Sequence, residues 1–281
     1  MKGTANMDIL EETKSIMKKY NIKANKSLGQ NFLINNEVVE NIVSSSEISK
    51  EDMIIEIGPG LGTLTKYLLE KAGKVLCVEL DTKMIKILQA RFSQYDNFEL
   101  INADILKVNL NEIISQNKKE GKIKNVKVVA NLPYYITTPI IMKLLEEKLD
   151  IKSITVMIQK EVADRLIEIP GGKNTGAITH TVYYYCKSEK IMEVPNSSFI
   201  PEPEVTSEVI KLNLRSKPAV DIENTKVMFM IIKSAFMQRR KTLLNALTNT
   251  KVFINKEEGI KILKTLNLKE NIRAEELSIQ D

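Results

Sequence analysis

The segment Glu56-Ile57-Gly58-Pro59-Gly60-Leu61-Gly62 constrains this chain more than any other stretch. It closes an apolar run, Met53-Ile54-Ile55-Glu56-Ile57, and leads into a helical pattern over residues 64–71. A strand, a glycine turn and a helix in that order form the unit with which open α/β sheets hold nucleotides outside the carboxyl ends of their strands. The alternation continues downstream. Strands are expected over 74–80, 98–101, 126–130 and 154–158, with a helix over 82–92 in which Met84, Ile85 and Leu88 recur at helical spacing. This order predicts an α/β fold with a doubly wound, mostly parallel sheet covered on both faces.

The pattern shifts past Gly176. A tyrosine-rich stretch, 179–186, precedes a Pro-rich loop over 195–203, and 208–214 alternates like a late strand. Beyond Ser216-Lys217-Pro218 the strand signals stop, and helices are expected over 228–247 and 256–268. The expected organisation is an N-terminal helical extension (1–25), a Rossmann-like domain (26–216) and a small C-terminal helical domain (217–281). Lys118-Lys119-Glu120-Gly121-Lys122 reads as a solvated loop.

The glycine spacing selects the ligand. A dinucleotide fold uses G-x-G-x-x-G and seats a pyrophosphate on the helix N-terminus. Here the third glycine comes one residue early, and Pro59 removes an N–H that a phosphate could have used. An adenosine-containing ligand without phosphate fits better. Glu79 ends the second strand, where a carboxylate can accept both ribose hydroxyls. Asp104 follows the third strand, where a carboxylate can accept from an exocyclic amine. Gly58, Gly60, Glu79 and Asp104 together point to S-adenosylmethionine as methyl donor, and to a class I methyltransferase.

Asn131-Leu132-Pro133-Tyr134 ends the fourth strand. An aminopurine nitrogen is a poor nucleophile because its lone pair is conjugated into the ring. The Asn131 side-chain oxygen and the Leu132 carbonyl, both accepting from the amine, would aim that lone pair at the methyl group. Pro133 sets the turn. Tyr134 can stack on the base, a contact worth about 1–3 kcal/mol in single-strand binders. Catalysis would then be mostly positioning.

On these residues the chain resembles the RsmA/KsgA family of ribosomal RNA adenine N6,N6-dimethyltransferases, over nearly all of residues 20–250. Lys26-Ser27-Leu28-Gly29-Gln30-Asn31-Phe32-Leu33 is similar to the family's N-terminal cofactor segment, which implies that Asn31 and the Leu33 main chain touch the methionine end of the cofactor. Glu56 to Gly62, Glu79, Asp104 and Asn131 match its other cofactor positions. Phe199-Ile200-Pro201-Glu202-Pro203-Glu204-Val205 resembles the F-x-P-x-P-x-V loop, implying that Phe199 stacks on the target base opposite Tyr134. Gln159-Lys160-Glu161-Val162-Ala163 matches a family segment but suggests no catalytic role, and Tyr135 receives none either.

Leu132 separates this turn from the Asn-Pro-Pro-Tyr of glutamine and DNA-amine methyltransferases. The Erm-type large-subunit RNA methyltransferases, usually with Ile there, are the nearer competitor. Residues 235–247 resemble the C-terminal helix of the small-subunit enzymes, with an apolar stripe (Phe236, Leu243, Leu244, Leu247) and a basic cluster, Arg239, Arg240 and Lys241, suited to phosphate contact. The resemblance implies two adjacent adenines in a hairpin near the 3′ end of 16S RNA as target, modified late in small-subunit assembly. A mainly non-catalytic assembly factor is the alternative outside enzymology.

The remaining features are permissive. Net charge is +5, a mild basic excess. No signal peptide and no membrane-spanning run is read, and Cys77 and Cys186 lack metal-ligand spacing. His180, the only histidine, sits among apolar residues and reads as structural. A cytoplasmic monomer without metal is expected.

Overall fold

In the computed structural model, which describes residues 8–24, 29–172 and 174–281, strands and helices alternate from α1 (Ile9–Lys19), β1 (Phe32–Leu33) and α2 (Asn36–Ser45) onward. The series continues with β2 (Asp52–Ile57), α3 (Thr63–Lys71), β3 (Lys74–Glu79), α4 (Thr82–Phe92), β4 (Phe98–Asn102), α5 (Leu110–Lys119), β5 (Asn125–Asn131), α6 (Thr137–Glu146), β6 (Ser153–Gln159) and α7 (Lys160–Ile167). After α8 (Ala177–Tyr185) come β7 (Cys186–Val194), β8 (Phe199–Ile200) and β9 (Ser207–Leu214). The chain ends in α9 (Thr225–Phe236), α10 (Leu243–Asn249) and α11 (Lys256–Thr265). Lys26, Ser27 and Leu28, and part of the expected extension 1–25, lie outside the described residues.

Seven strands form one sheet in the order β4-β3-β2-β5-β6-β9-β7. The pairs from β4 through β6 are parallel, and β9 runs antiparallel to β6. This is the doubly wound sheet expected from the alternation. The chain builds outward from β2 through β3 to β4, then returns to add β5 and β6 on the other side. The reversal between β2 and β5 opens a crevice at their carboxyl ends.

Burial on both faces explains why the inner strands β2, β3, β5 and β6 read as apolar runs. Ile54 and Ile55, on opposite faces of β2, are both fully buried. On one face Ile54, Val75, Cys77 and Val129 pack with Val39 and Ile42 of α2, Leu68 of α3 and Leu88 of α4. Each such aliphatic side chain contributes about 1.5–3 kcal/mol. At the amino end of β2, buried Asp52 meets buried Lys127 of β5 at 2.8 Å. It also accepts from the Ser49 N–H and the Asn125 amide, while Lys127 donates to the Glu47 carbonyl.

The chain divides into two units, 1–163 with 189–214, and 164–188 with 215–281. The second unit thus takes in the tyrosine-rich stretch, which forms α8. There Tyr184 packs edge-on against Tyr185 and Phe229, and Tyr185 stacks on Phe229. His180 bonds to the Gly176 carbonyl and packs on Phe236, and burial lowers its pKa. The single helix expected over 228–247 is two. α9 ends at Phe236, a turn closes from Lys241 N–H to the Gln238 carbonyl, and Thr242 caps α10 by accepting from Asn245 N–H.

Candidate active site

A cavity of about 320 Å³ opens where the sheet reverses. It is walled by the glycine turn after β2, the ends of β3 and β5, Asp104 after β4, and the segment preceding β1. The volume falls within the range of small-molecule sites. Asn31, Leu33, Gly58, Gly60, Glu79, Asp104, Asn131, Leu132, Pro133 and Tyr134 all line it. Residues spread widely along the sequence are therefore brought to one place.

The glycine turn is shaped from both sides. Gly60 has φ +57°, and its N–H donates to Glu79 Oε2 at 3.2 Å. Gly62, at φ +81°, leads into α3, and a Cβ there would collide with the Phe92 ring. Either position is costly for any other residue. Arg91 of α4 donates to the Leu61 carbonyl and pairs with Glu12 of α1. The N-terminal helix is thereby tied to the turn.

Two buried acids stand at this end of the sheet. Glu79 is 8% exposed and accepts N–H groups on both oxygens, from Gly60 and from Asp81 at 2.8 Å. Burial raises its pKa, opposed by those N–H groups. Glu56 receives the Thr65 hydroxyl at 2.6 Å and the Cys77 thiol at 3.5 Å, and burial pushes its pKa up to about 7. Buried carboxyls with lone pairs remaining suit a ligand rich in hydroxyl and amine donors. Asp104 caps the turn after β4, accepting from Leu106 N–H at 3.0 Å, and lies 4.0 Å from Lys107.

The turn after β5 faces the glycines. Pro133 sits against Gly58, 3.5 Å from where a Cβ would be, and its carbonyl takes the Ile136 N–H and the Thr137 hydroxyl. Leu132 N–H donates to the Met157 carbonyl of β6 at 3.1 Å. The Asn131 amide nitrogen donates to the Asn31 carbonyl at 3.4 Å, and Asn31 donates to the Gly29 carbonyl at 3.3 Å. That orientation turns Asn131 Oδ1 away from the Asn31 carbonyl and leaves it to accept. Tyr134 joins its phenol to the Ser207 hydroxyl, and burial raises its pKa.

Phe199 is placed differently from the expectation. It is 1% exposed and packs in the core with Phe32 and Leu33, outside the cavity lining. The cause is its pairing. β8 and β1 form a two-stranded antiparallel ribbon with Leu33 opposite Phe199 and Phe32 opposite Ile200. The contacts of Phe199 in this structure are thus with β1 and the core, and not with the cavity lining. Arg239, Arg240 and Lys241 are exposed in the turn between α9 and α10, rather than along a helix.

Three residues in or near the cavity carry more than the sequence assigned them. Glu56 matched only as the start of the glycine segment, and a charge inside an apolar strand was the available signal. Tyr135, half-exposed, lines the cavity mouth beside Gly29. Ser207 carried no signal of its own. Among the described residues no group of three or more His, Cys, Asp or Glu could hold a metal ion, and no helix is long and apolar enough to cross a membrane.

Residues 21–281 match the family model for ribosomal RNA adenine dimethylase. A ribosomal RNA small subunit methyltransferase A of Alkaliphilus metalliredigens is 48% identical over 270 residues, covering 96% of this chain and 93% of the relative. A dimethyladenosine transferase from Plasmodium falciparum superposes with a TM-score of 0.71 at 27% identity, covering 89% and 94% of the two chains. The 23S rRNA methyltransferase ErmE superposes with a TM-score of 0.66 at 21% identity, covering 89% and 96%, a likeness of fold.

Proposed function

The chain belongs to the ribosomal RNA adenine dimethylase family, and from that premise we propose that it dimethylates N6 of adenine in small-subunit ribosomal RNA with S-adenosylmethionine as donor. Its targets are two adjacent adenines in the hairpin near the 3′ end of 16S RNA. It acts as a monomer in the cytoplasm, late in small-subunit assembly. The observation that carries this reading is the Asn131–Tyr134 turn, seated against Gly58 across the point where the sheet reverses, with Asn131 Oδ1 left to accept.

The donor supplies a methyl group on a positively charged sulfur, and the chain has to do the rest. Glu79 would hold the ribose hydroxyls and Asp104 the adenine amine of the cofactor. Asn31 and the Leu33 main chain would hold its methionine end. Asn131 Oδ1 and the Leu132 carbonyl would accept from the target amine, turning its lone pair toward the methyl group. Pro133 keeps that carbonyl aimed, and Tyr134 offers its ring face to the target base. The task is alignment of two bound partners, for which orientation alone accounts for several kcal/mol of barrier. The amine needs no strong base, because it becomes acidic as the new bond forms.

Arg239, Arg240 and Lys241 would contact RNA phosphates from an exposed turn, contributing affinity that falls with salt. Phe199 packs with Phe32 and Leu33 in this structure; stacking on the target base opposite Tyr134 would need its ring to turn out of that core.

Asn131→Ala tests the reading. Transfer to unmethylated small subunits should fall at least about a hundredfold, with affinity for S-adenosylhomocysteine changed by less than about tenfold. Turnover at the wild-type rate would remove the proposed role of Asn131.

A further inference from the structure

Tyr134 and Ser207 lie far apart in sequence, yet the phenol and the serine hydroxyl are joined by a hydrogen bond. Ser207 is fully buried and opens β9, paired with Gln159 of β6. Its position is held on both sides. Lys160 N–H donates to the Thr206 carbonyl at 3.0 Å. Glu208, also fully buried, is paired with Lys190 and lies 3.8 Å from Lys160. Gln159 and Lys160 open the Gln-Lys-Glu-Val-Ala segment, to which the sequence attached no role. Their position shows what they hold in place.

A tyrosine beside a reacting base can use its hydroxyl on the substrate or on the protein. Here the protein takes it, so that the ring is anchored at its backbone and again at its phenol. Such a ring keeps its plane before RNA arrives, and little ordering remains to be done on binding.

We propose that Ser207 is a positioning residue of the methyl-transfer site, pinning Tyr134 so that only its ring face is offered to the target adenine. The proposal rests on the assignment of Tyr134 as the stacking residue. Lys160 and Glu208 serve it indirectly, by fixing the start of β9.

The test measures transfer to unmethylated small subunits by the full-length protein, together with affinity for S-adenosylhomocysteine. Ser207→Ala should lower the rate at saturating RNA by roughly tenfold while cofactor affinity stays within about twofold. Ser207→Thr, which restores a hydroxyl, should recover most of the rate. Tyr134→Phe should lose as much as Ser207→Ala, and the double variant should be no slower than either single one. A wild-type rate in Ser207→Ala or Tyr134→Phe, or losses that multiply in the double variant, would overturn the proposal. Should Ser207→Ala fail to fold, Tyr134→Phe decides alone, since it leaves the strand untouched. Tyr134→Ala separates the two levels. A wild-type rate there would remove the stacking assignment itself, whereas a loss well beyond that of Tyr134→Phe upholds it. No transfer by the wild-type protein would overturn the proposed function and this inference with it.

Discussion

The two ends of β2 carry acids in opposite circumstances. Asp52, at the amino end, is enclosed by Lys127, Asn125 and the Ser49 N–H. Burial works against its ionisation, but these partners outweigh burial and hold its pKa below the ordinary 3.8. Glu56, at the carboxyl end, is met by a hydroxyl and a thiol, and burial lifts it from 4.5 to about 7. One end of the sheet satisfies its charge internally and contributes stability. The other keeps acids short of protein cations at the wall of a cavity, where a ligand can use them.

The largest effect should come from breaking the satisfied end. Lys127→Met leaves Asp52 buried without its cation and should cost about 3–5 kcal/mol in urea unfolding. Cofactor affinity of the folded fraction should not change. If affinity fell in proportion to stability, the two ends would not be independent.

Protonation sharpens the contrast. Because the folded-state pKa of Glu56 is raised, its contribution to stability is full below about 4.5 and is lost as pH rises through about 7. The loss is of order 3 kcal/mol for the ligand-free protein. Asp52 has the reverse sign. Its contribution is present above 3.8 and is lost as pH falls through its lowered pKa. Glu56→Gln should therefore flatten the decline between about pH 4.5 and 7 and leave the acid limb below about pH 4 in place. An unchanged decline would assign it to other groups.

Glu79→Gln should have the smallest effect on folding and a definite one on binding. The amide keeps one acceptor but loses the charge, so affinity for S-adenosylhomocysteine should drop roughly tenfold to a hundredfold by calorimetry. The unfolding midpoint should move little, because removing a buried charge offsets the loss of one of the two acceptors that the Gly60 and Asp81 N–H groups use. A fall in stability without loss of affinity would make Glu79 a structural acid like Asp52.

Much of this was legible in sequence where burial writes a plain signal. Parallel strands buried on both faces appear as apolar runs, and the glycine turn, Glu79, Asp104 and Asn131 sit at their ends. Tertiary pairing was harder to see. β1 and β8 are two residues each, too short for any periodicity, yet their pairing decides that Phe199 faces the core. The prolines after Phe199 mark a loop in the sequence but carry no information about how deeply the ring is buried. Gln238-Arg239-Arg240-Lys241 are good helix formers, so only Thr242 hinted that the helix breaks there. Ser207 is one of many serines in the sequence, and its meaning comes from the phenol opposite it.

The most direct test of the central claim is nucleoside analysis after labelled methyl transfer from S-adenosylmethionine by the wild-type protein. Unmethylated small subunits and protein-free 23S RNA are assayed in parallel. A cavity of this make-up, in a chain of this family, predicts N6,N6-dimethyladenosine from the small subunits alone, mapping to two adjacent positions near the 3′ end of 16S RNA. Dimethyladenosine arising from 23S RNA, or no label in either while S-adenosylhomocysteine still binds, would contradict it.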